Sequence, residues 1–569
     1  MIIDYKELLY TKNYLSSVKR VGNTENYECS FVMRNGYEIP IIISFSPLFP
    51  VRLPTVYINE AQYNIPSIPH ITRSGMICYL DEEGVLWNDN PAATLDFVFK
   101  RVEQVLLSNT PQMEYHREFS YYFSTLEGLE PVLSTYVPND SLEEISVMTK
   151  DKKPYFFLGD DIQSQTLQDK LKNRGTNPYN LTKALYIPLD ITYKGDVPQL
   201  DKFWTNKEIN ELVSQHLNEN TLEELNQFAK NKRRYYYLIN LRLLTGEKVL
   251  IGLWYERTEH IMPKKVNPIV DKSVADNFYI TPLFVLRNDD ATLIERGGGV
   301  KEDPRVLLIG CGSIGSDLLF LLARSGIKQF TLIDDENLEI ENSYRHFLGM
   351  DKSFNGKSKV ELLKDEFEKR YPSARINAVN KEVLTAIENG EIYLNDFDLI
   401  LVAIGNPNVE RRLNYHIVNS STPAVFTWVE AYGIGGHALV VNNSKTGCYE
   451  CLIKDDLTMY QSLAGNSDKP FIKNMNGCAG SYTPYGSVDS METALLASRM
   501  ALRMLDNDVI DNPLVSWKGS AKTFEQNGYS TSERFTQSED TLKQDNFDYI
   551  NDRCKTCSNH REVQSNVSY

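Results

Sequence analysis

Apolar and polar positions change rhythm twice along the 569-residue chain, marking three zones. In the first, to about residue 130, an opening helical stretch precedes strand-like runs at 27–34, 38–44 and 55–59. The prolines of Phe45–Pro54 remove backbone donors, so no sheet continues through that segment. Apolar residues then recur at Leu95, Val98, Phe99, Val102, Val105 and Leu106, the spacing of an amphipathic helix. A second helix is predicted over 112–126, carrying Tyr115, Phe119, Tyr122 and Phe123.

The middle zone, 131–295, predicts a strand at 155–158. A hairpin is predicted between 235–244 and 249–255, joined through Thr-Gly-Glu-Lys. Its basic run Lys230–Arg234 reads as a solvated loop, and no chemistry is assigned to this α+β segment. From 296 onward strands and helices alternate, with strands predicted at 305–309, 329–333, 376–380, 398–403, 424–429 and 436–441. Such alternation implies a largely parallel sheet covered by helices.

A chain of this length exceeds one hydrophobic core, so about two to four domains are expected. With 42% hydrophobic and 24% charged residues it has a globular composition, and its net charge of -16 argues against a nucleic-acid partner. There is no basic start followed by an apolar core, and no apolar run long enough for a bilayer, so no membrane association is expected. Eight cysteines in such a chain suggest reduced thiols or metal ligands, with the cytoplasm as the natural compartment.

Gly310-Cys-Gly-Ser-Ile-Gly315 comes after a buried-type strand and opens a helix. Its glycines allow a tight turn and close approach of phosphate to the helix N-terminus, and Asp334 at the end of the next strand can bind a ribose. Taken alone this motif reads by default as the site of a NAD-dependent oxidoreductase, with chance or purely structural use of the glycines as the alternative. Cys448-Tyr-Glu-Cys451 and Cys554-Lys-Thr-Cys557 supply four thiolates, enough for tetrahedral Zn2+; a redox dithiol would use only one pair. Cys478, in Gly477-Cys-Ala-Gly480, reads either as a nucleophile on a mobile polar loop or as a small packed residue. Cys78, close to Asp81, Glu82, Glu83 and Trp87, is not in a core-like setting, whereas Cys311 and Cys29 read as packing residues.

Two segments downstream of the glycine loop are more specific. Leu332-Ile-Asp-Asp-Glu-Asn-Leu-Glu-Ile-Glu-Asn-Ser-Tyr-Arg345, then Gly356-Lys-Ser-Lys359-Val, resemble ubiquitin-activating, molybdopterin-synthase-activating and thiamine-pathway adenylating enzymes. The resemblance implies ATP bound by Gly310, Gly312, Gly315, Asp334, Asn342, Arg345 and Lys359. It also implies zinc on the four paired cysteines, Cys478 as acyl acceptor, and a homodimer. Gly405 stands where the family carries an Asp used with Mg2+, so either Asp335 or Glu336 holds that ion or the metal site is weakened.

Phe49-Pro-Val-Arg-Leu-Pro54, Pro69-His70-Ile71, Gly75-Met-Ile-Cys78 and Trp87 resemble the ubiquitin-conjugating fold. His70 stands at the position of that family's Asn, which stabilises the oxyanion; a His there either donates the same hydrogen bond or merely pins the loop. The expected fold is therefore multidomain α/β and α+β. It comprises an N-terminal ubiquitin-conjugating-like α+β domain (1–130), an α+β linker domain (131–295) and a C-terminal Rossmann-like adenylation domain with a zinc site (296–569). That order resembles the fusion enzymes of bacterial CBASS antiviral operons.

The resemblance implies an ATP-dependent protein ligase. It would adenylate the C-terminal glycine of a partner, a cGAS-like nucleotidyltransferase or a ubiquitin-like protein. The acyl group would pass through thioesters on Cys478 and then Cys78, with His70 and Arg345 assisting, to a target lysine. The competing readings are a sulfur-carrier adenylyltransferase of the ThiF/MoeB type and a catalytically weakened adaptor.

Overall fold

The computed structural model describes residues 3–64, 68–80, 84–108, 112–126, 129–172, 179–189, 191–195, 203–258, 265–299, 302–353, 356–465, 470–474, 481–509 and 511–558. The chain divides into two compact units, one of Met1–Asp160 with Leu167–Asp289 and the other of Asp161–Thr166 with Asp290–Tyr569.

The first unit opens with an antiparallel sheet of four strands in sequential order: β1 (Leu15–Arg20), β2 (Asn26–Val32), β3 (Glu38–Ser44) and β4 (Thr55–Ile58). Alternation in β2 and β3 buries Tyr27, Cys29 and Phe31 together with Ile39, Ile41 and Ile43. That apolar face clusters with Leu95, Val98, Phe99 and Val102 of the Pro91–Leu106 helix. The Asn90 side chain caps this helix by accepting from Ala92 and Ala93 N–H, and Pro91 sits where no donor is needed. The sequence pattern does not predict β1. A register shift between Ser16 and Lys19 puts its two buried residues, Leu15 and Val18, three apart, which breaks the two-residue period.

The same unit continues into a closed barrel: β5 (Glu130–Ser134), β6 (Glu143–Lys150), β7 (Lys153–Leu158), β8 (Asn180–Pro188), β9 (Arg234–Arg242), β10 (Lys248–Arg257) and β11 (Phe278–Arg287). Its order is β10-β11-β5-β7-β6-β8-β9. The β9/β10 hairpin is the one predicted, with Arg242 opposite Lys248. Closure depends on the parallel pairs β5/β11, β5/β7 and β8/β9, which no local pattern announces. The predicted helix over 112–126 is two helices, Gln112–Arg117 and Phe119–Ser124, broken at Glu118 (φ -84°, ψ 4°). Its aromatics Phe119, Tyr122 and Phe123 cluster with barrel residues such as Leu185 and Tyr237.

The second unit holds a seven-stranded sheet in the order β14-β13-β12-β15-β16-β17-β20. Its strands are β12 (Arg305–Ile309), β13 (Gln329–Ile333), β14 (Arg375–Val379), β15 (Leu399–Val402), β16 (Ala424–Val429), β17 (Gly435–Val441) and β20 (Leu514–Lys518). A separate short ladder pairs β18 (Lys473–Asn474) with β19 (Ser481–Tyr482). The first five strands of the order run parallel and the last two are antiparallel additions. Continuous burial of Val306–Ile309 and Leu399–Val402 is what a central strand covered on both faces requires. The chain leaves β12 toward β13 and β14, then returns on the other side at β15. A crevice therefore opens between β12 and β15 at the carboxyl ends of the strands. No helix among the described residues is long and apolar enough to cross a membrane.

A buried carboxylate fastens the far side of this sheet. Glu430 accepts from His437 Nε2 (2.6 Å), Ser462 Oγ (2.6 Å), and the Leu463 and Ala464 N–H groups (2.7 and 2.8 Å). Ser516 Oγ lies 2.8 Å from His437 Nδ1 and accepts from Arg534, which also donates to Gln461 O. Burial opposes ionisation of Glu430, but the hydrogen bonds led by His437 outweigh it and hold its pKa below the usual range. Burial dominates at His437 and lowers its pKa, so a neutral ring donates to an ionised carboxylate. Glu430→Ala leaves these donors without an acceptor and is expected to cost about 3–5 kcal/mol, with Glu430→Gln costing less, as read by chemical denaturation. The contribution is present above the unfolded carboxylate pKa and is lost as pH falls through the depressed native value.

Candidate functional site

Two clusters gather the residues singled out from sequence, one in each unit. In the first, residues 70–78 double back on themselves. Thr72 and Gly75 close a turn (Gly75 N–H to Thr72 O, 2.9 Å), Ile71 bridges Ile77, and the Cys78 N–H donates to His70 O at 2.7 Å. Gly75 has φ +78° and His70 φ +67°, a left-handed conformation that His adopts more readily than most residues. The eight-residue spacing thus brings His70 beside Cys78. Trp87 anchors the next stretch of chain by donating from Nε1 to Pro50 O (2.8 Å).

Cys78 is exposed, and His70 Nδ1 stands 3.5 Å from Glu118 Oε1. Partial desolvation, then the Glu118 charge, raise the Cys78 pKa; burial and then the Cys78 charge raise that of Tyr121. Tyr122 Oη is buried there with no hydrogen-bond partner among the described residues. Glu118 and Tyr121 were not singled out from sequence, and Tyr122 only as an aromatic of the predicted helix. Glu118 reaches the site at the break between the two helices, and Arg117-Glu118-Phe119 carries no turn-forming residue that would have signalled it.

In the second unit the glycine loop fills the crevice between β12 and β15. A Cβ at Gly310 (φ +88°) would meet Ala403 O at 2.5 Å, and one at Gly315 would meet Gly310 O at 2.0 Å. At Gly312 nothing among the described residues stands within 4 Å of the Cβ position, so no contact with them requires glycine there. That cradle suits a phosphate approaching the N-terminus of the Ser313–Arg324 helix. Asp334 accepts from Cys311 N–H (2.7 Å) and Glu336 N–H (2.9 Å), fastening the loop to the end of β13. Burial raises its pKa against the pull of Lys359 and those two donors.

Lys359 is 3% exposed and pairs with Glu336. Asn342 Oδ1 accepts from Glu339 N–H at 3.1 Å, while Arg345 lies over the Tyr485 ring. His346, also missed from sequence, donates from Nε2 to Cys311 O (2.9 Å) and accepts at Nδ1 from Leu348 N–H. Burial pushes its pKa down to about 4, so the ring stays neutral beside Lys359. Cys311 is fully buried and Cys29 is 5% exposed, both packed as expected. Gly405 (φ +73°) donates its N–H to Glu410, a buried carboxylate that also accepts from Tyr449 Oη.

Cys448, Cys451, Cys554 and Cys557 converge with all four sulfurs within 4.8 Å of one another. Two pairs stand 3.7 and 3.6 Å apart, close to the edge of about 3.8 Å that a tetrahedron of 2.3 Å metal–sulfur bonds implies. The four cysteines can therefore hold a metal ion. Asn414 Nδ2 donates to Cys448 Sγ, and Arg411 grips Glu450 through two hydrogen bonds of 2.9 and 2.6 Å, bracing the first cysteine loop. Cys478 and its flanking glycines, and likewise Asp81, Glu82 and Glu83, lie outside the described residues.

Residues 300–483 match the ThiF family and residues 13–130 the Prokaryotic E2 family B. The chain is an E2-like and ThiF-type fusion. The "ATP-dependent ubiquitin transferase-like protein Cap2" of Escherichia coli is 23% identical over 538 residues, covering 83% of the fusion and 86% of that relative. The protein of the same name in Vibrio cholerae is 23% identical over 506 residues, covering 80% and 84%. Among solved structures, Escherichia coli MccB with ATP shares 17% identity over 47% of the fusion and 70% of its own chain, at a TM-score of 0.32. The fusion is an enzyme of the ubiquitin-activating and ubiquitin-conjugating-like class.

The Glu118 charge bears directly on the Cys78 thiol. Glu118→Gln removes it and is expected to lower the thiol pKa, speeding iodoacetamide labelling of Cys78 at neutral pH by about two- to five-fold. Peptide mass spectrometry across a pH series reads the effect, and an unchanged profile means that Glu118 does not set the thiol's ionisation.

Proposed function

We propose that the fusion activates the C-terminal glycine of a partner protein with ATP and conjugates it to an amine. Cys78 carries this reading: an exposed thiol on a turn whose backbone returns to His70 has no use in adenylation alone, yet it stands in the same chain as a ThiF-type domain. The likeness to ubiquitin transferase-like relatives over about four fifths of the chain supports ATP-dependent transfer of this kind.

The partner's carboxylate oxygen attacks the α-phosphate of ATP over the glycine loop, releasing pyrophosphate and leaving an acyl adenylate. Arg345 and Lys359 offset the phosphate charge. Mg2+ would shield the polyphosphate, with Asp335 or Glu336 as its carboxylates. The Cys478 thiolate displaces AMP to form a thioester, and the Cys78 thiolate then takes the acyl group, returning Cys478 to a thiolate. A lysine amine attacks that thioester, its proton is lost, and the Cys78 sulfur leaves as an isopeptide bond forms. His70 donates to the oxyanion in this last step.

The chemistry recognises a flexible glycine-ended tail, and the partner we assign is a cGAS-like nucleotidyltransferase or a ubiquitin-like protein in a cytoplasmic antiviral system of the CBASS type. We place Zn2+ on the four cysteines as a stabilising ion, and the ThiF-type domain in a homodimer. One observation favours the weakened-adaptor reading: Gly405 offers no carboxylate where an adenylating enzyme of this type holds its metal. Partner-dependent ATP–pyrophosphate exchange separates the two readings, since an adaptor shows none.

Incubation with ATP and a glycine-tailed partner should give a thiol-sensitive adduct by intact mass. Cys478→Ala blocks all loading but leaves pyrophosphate exchange. Cys78→Ala lets the Cys478 thioester accumulate and abolishes ligation. His70→Ala loads Cys78 yet slows aminolysis by about 10²–10³. Ligation at the wild-type rate by Cys78→Ala would make the N-terminal domain a docking module only.

Elemental analysis of the purified protein should find zinc at about one atom per chain. Zinc-free protein with all four cysteines open to alkylation in the folded state excludes the assignment.

A further inference from the structure

Arg345 has an aromatic partner instead of an acidic one. Its guanidinium carbon lies 4.6 Å from the centre of the Tyr485 ring, within cation–π range. Among the described residues no carboxylate stands within 4 Å of it. The hydroxyl of the same ring is 2.9 Å from Ser313 Oγ, and Ser313 is the first residue of the glycine-loop helix. No side chain caps that helix, since its N-cap is Gly312. Cation, ring and helix N-terminus thus meet beside the glycine loop.

The ring is the fixed member of this group. Pro484 O accepts from Tyr432 N–H at 2.5 Å, and Gly486 N–H donates to Asp489 Oδ2 at 2.7 Å, so the backbone is held on both sides of Tyr485. Arg345, by contrast, is half-buried with a long side chain and a charge left free to meet an anion. A guanidinium stacked on a rigid face loses less rotamer freedom when it takes a phosphate oxygen.

We propose that Tyr485 is a positioning residue for the nucleoside triphosphate, its ring holding Arg345 beside the N-terminus of the Ser313–Arg324 helix to receive the polyphosphate. The inference rests on the adenylation reading and deepens it. Tyr485 acts through Arg345, so its effect falls on the distal phosphates and depends on the arginine being present.

Calorimetric titration of the full chain with magnesium ATP, and separately with AMP, tests this. Tyr485→Leu is expected to weaken ATP by about 2- to 30-fold while AMP affinity stays within about two-fold. Tyr485→Phe, which keeps the ring, stays within about three-fold of wild type for ATP. On an Arg345→Ala background, Tyr485→Leu adds no further loss. Equal losses of ATP and AMP, or an undiminished loss in the double variant, overturn the proposal. Should Tyr485→Leu fail to melt cooperatively, Tyr485→Gln takes its place with the same expected split. Wild-type protein that binds no ATP, or an Arg345→Ala variant that binds it normally, sinks the nucleotide-site reading itself.

Discussion

The adenylation half of this chain depends on two missing Cβ atoms. At Gly310 and Gly315 the backbone folds so closely on Ala403 O and on its own carbonyl that any side chain would have to displace main-chain atoms. Because those atoms belong to the end of β15 and to the loop itself, the conflict cannot be relieved by turning a side chain. The close approach draws the N-terminus of the Ser313–Arg324 helix into the crevice. Asp334 then fixes the loop to β13 by holding two backbone donors. Lys359, Glu336 and His346 take their places around a backbone already set.

At the other cluster, electrostatics pull in two directions. A carboxylate near Cys78 disfavours the thiolate, which slows the resting thiol toward oxidants and stray electrophiles as well as toward an incoming thioester. The same negative charge favours the approach of a lysine ammonium. His70 stands between these effects, with Nδ1 turned toward Glu118 and its backbone carbonyl bonded to the Cys78 N–H. In the proposed relay the arrangement favours discharge over loading, which suits a thiol that is loaded by another thioester of nearly equal energy.

Much of this was legible in the chain. The strand–glycine–helix order, the acid closing the next strand, and the paired cysteines are local patterns whose spacing carries their geometry. The pairing of His70 with Cys78 was legible only through the likeness to the ubiquitin-conjugating fold; the structure closes it through the turn at Gly75. The pattern failed where structure came from afar. β1 carries a register shift that destroys its alternation, and the barrel closes through parallel pairs between strands remote in sequence. Glu118 comes to His70 from 48 positions away, at a helix break that propensity does not mark. Tyr485 reaches Ser313 across 172 residues, and the Glu430 hydrogen-bond cluster joins β16, β17, β20 and a loop. Contacts of that kind leave no period in a sequence, since they are set by packing and not by local backbone preference.

The four-cysteine cluster also carries a clock. Its two halves lie 106 positions apart, so the first pair leaves the ribosome well before the second exists. At about 5–20 residues per second, Cys448 and Cys451 wait on the order of 5–20 s with no partner sulfurs. Through that interval the pair is a bare dithiol, open to oxidation or to capture by other metals and thiols. Arg411 and Asn414, already synthesised, are in place to hold the Cys448–Cys451 loop in shape until the second pair arrives.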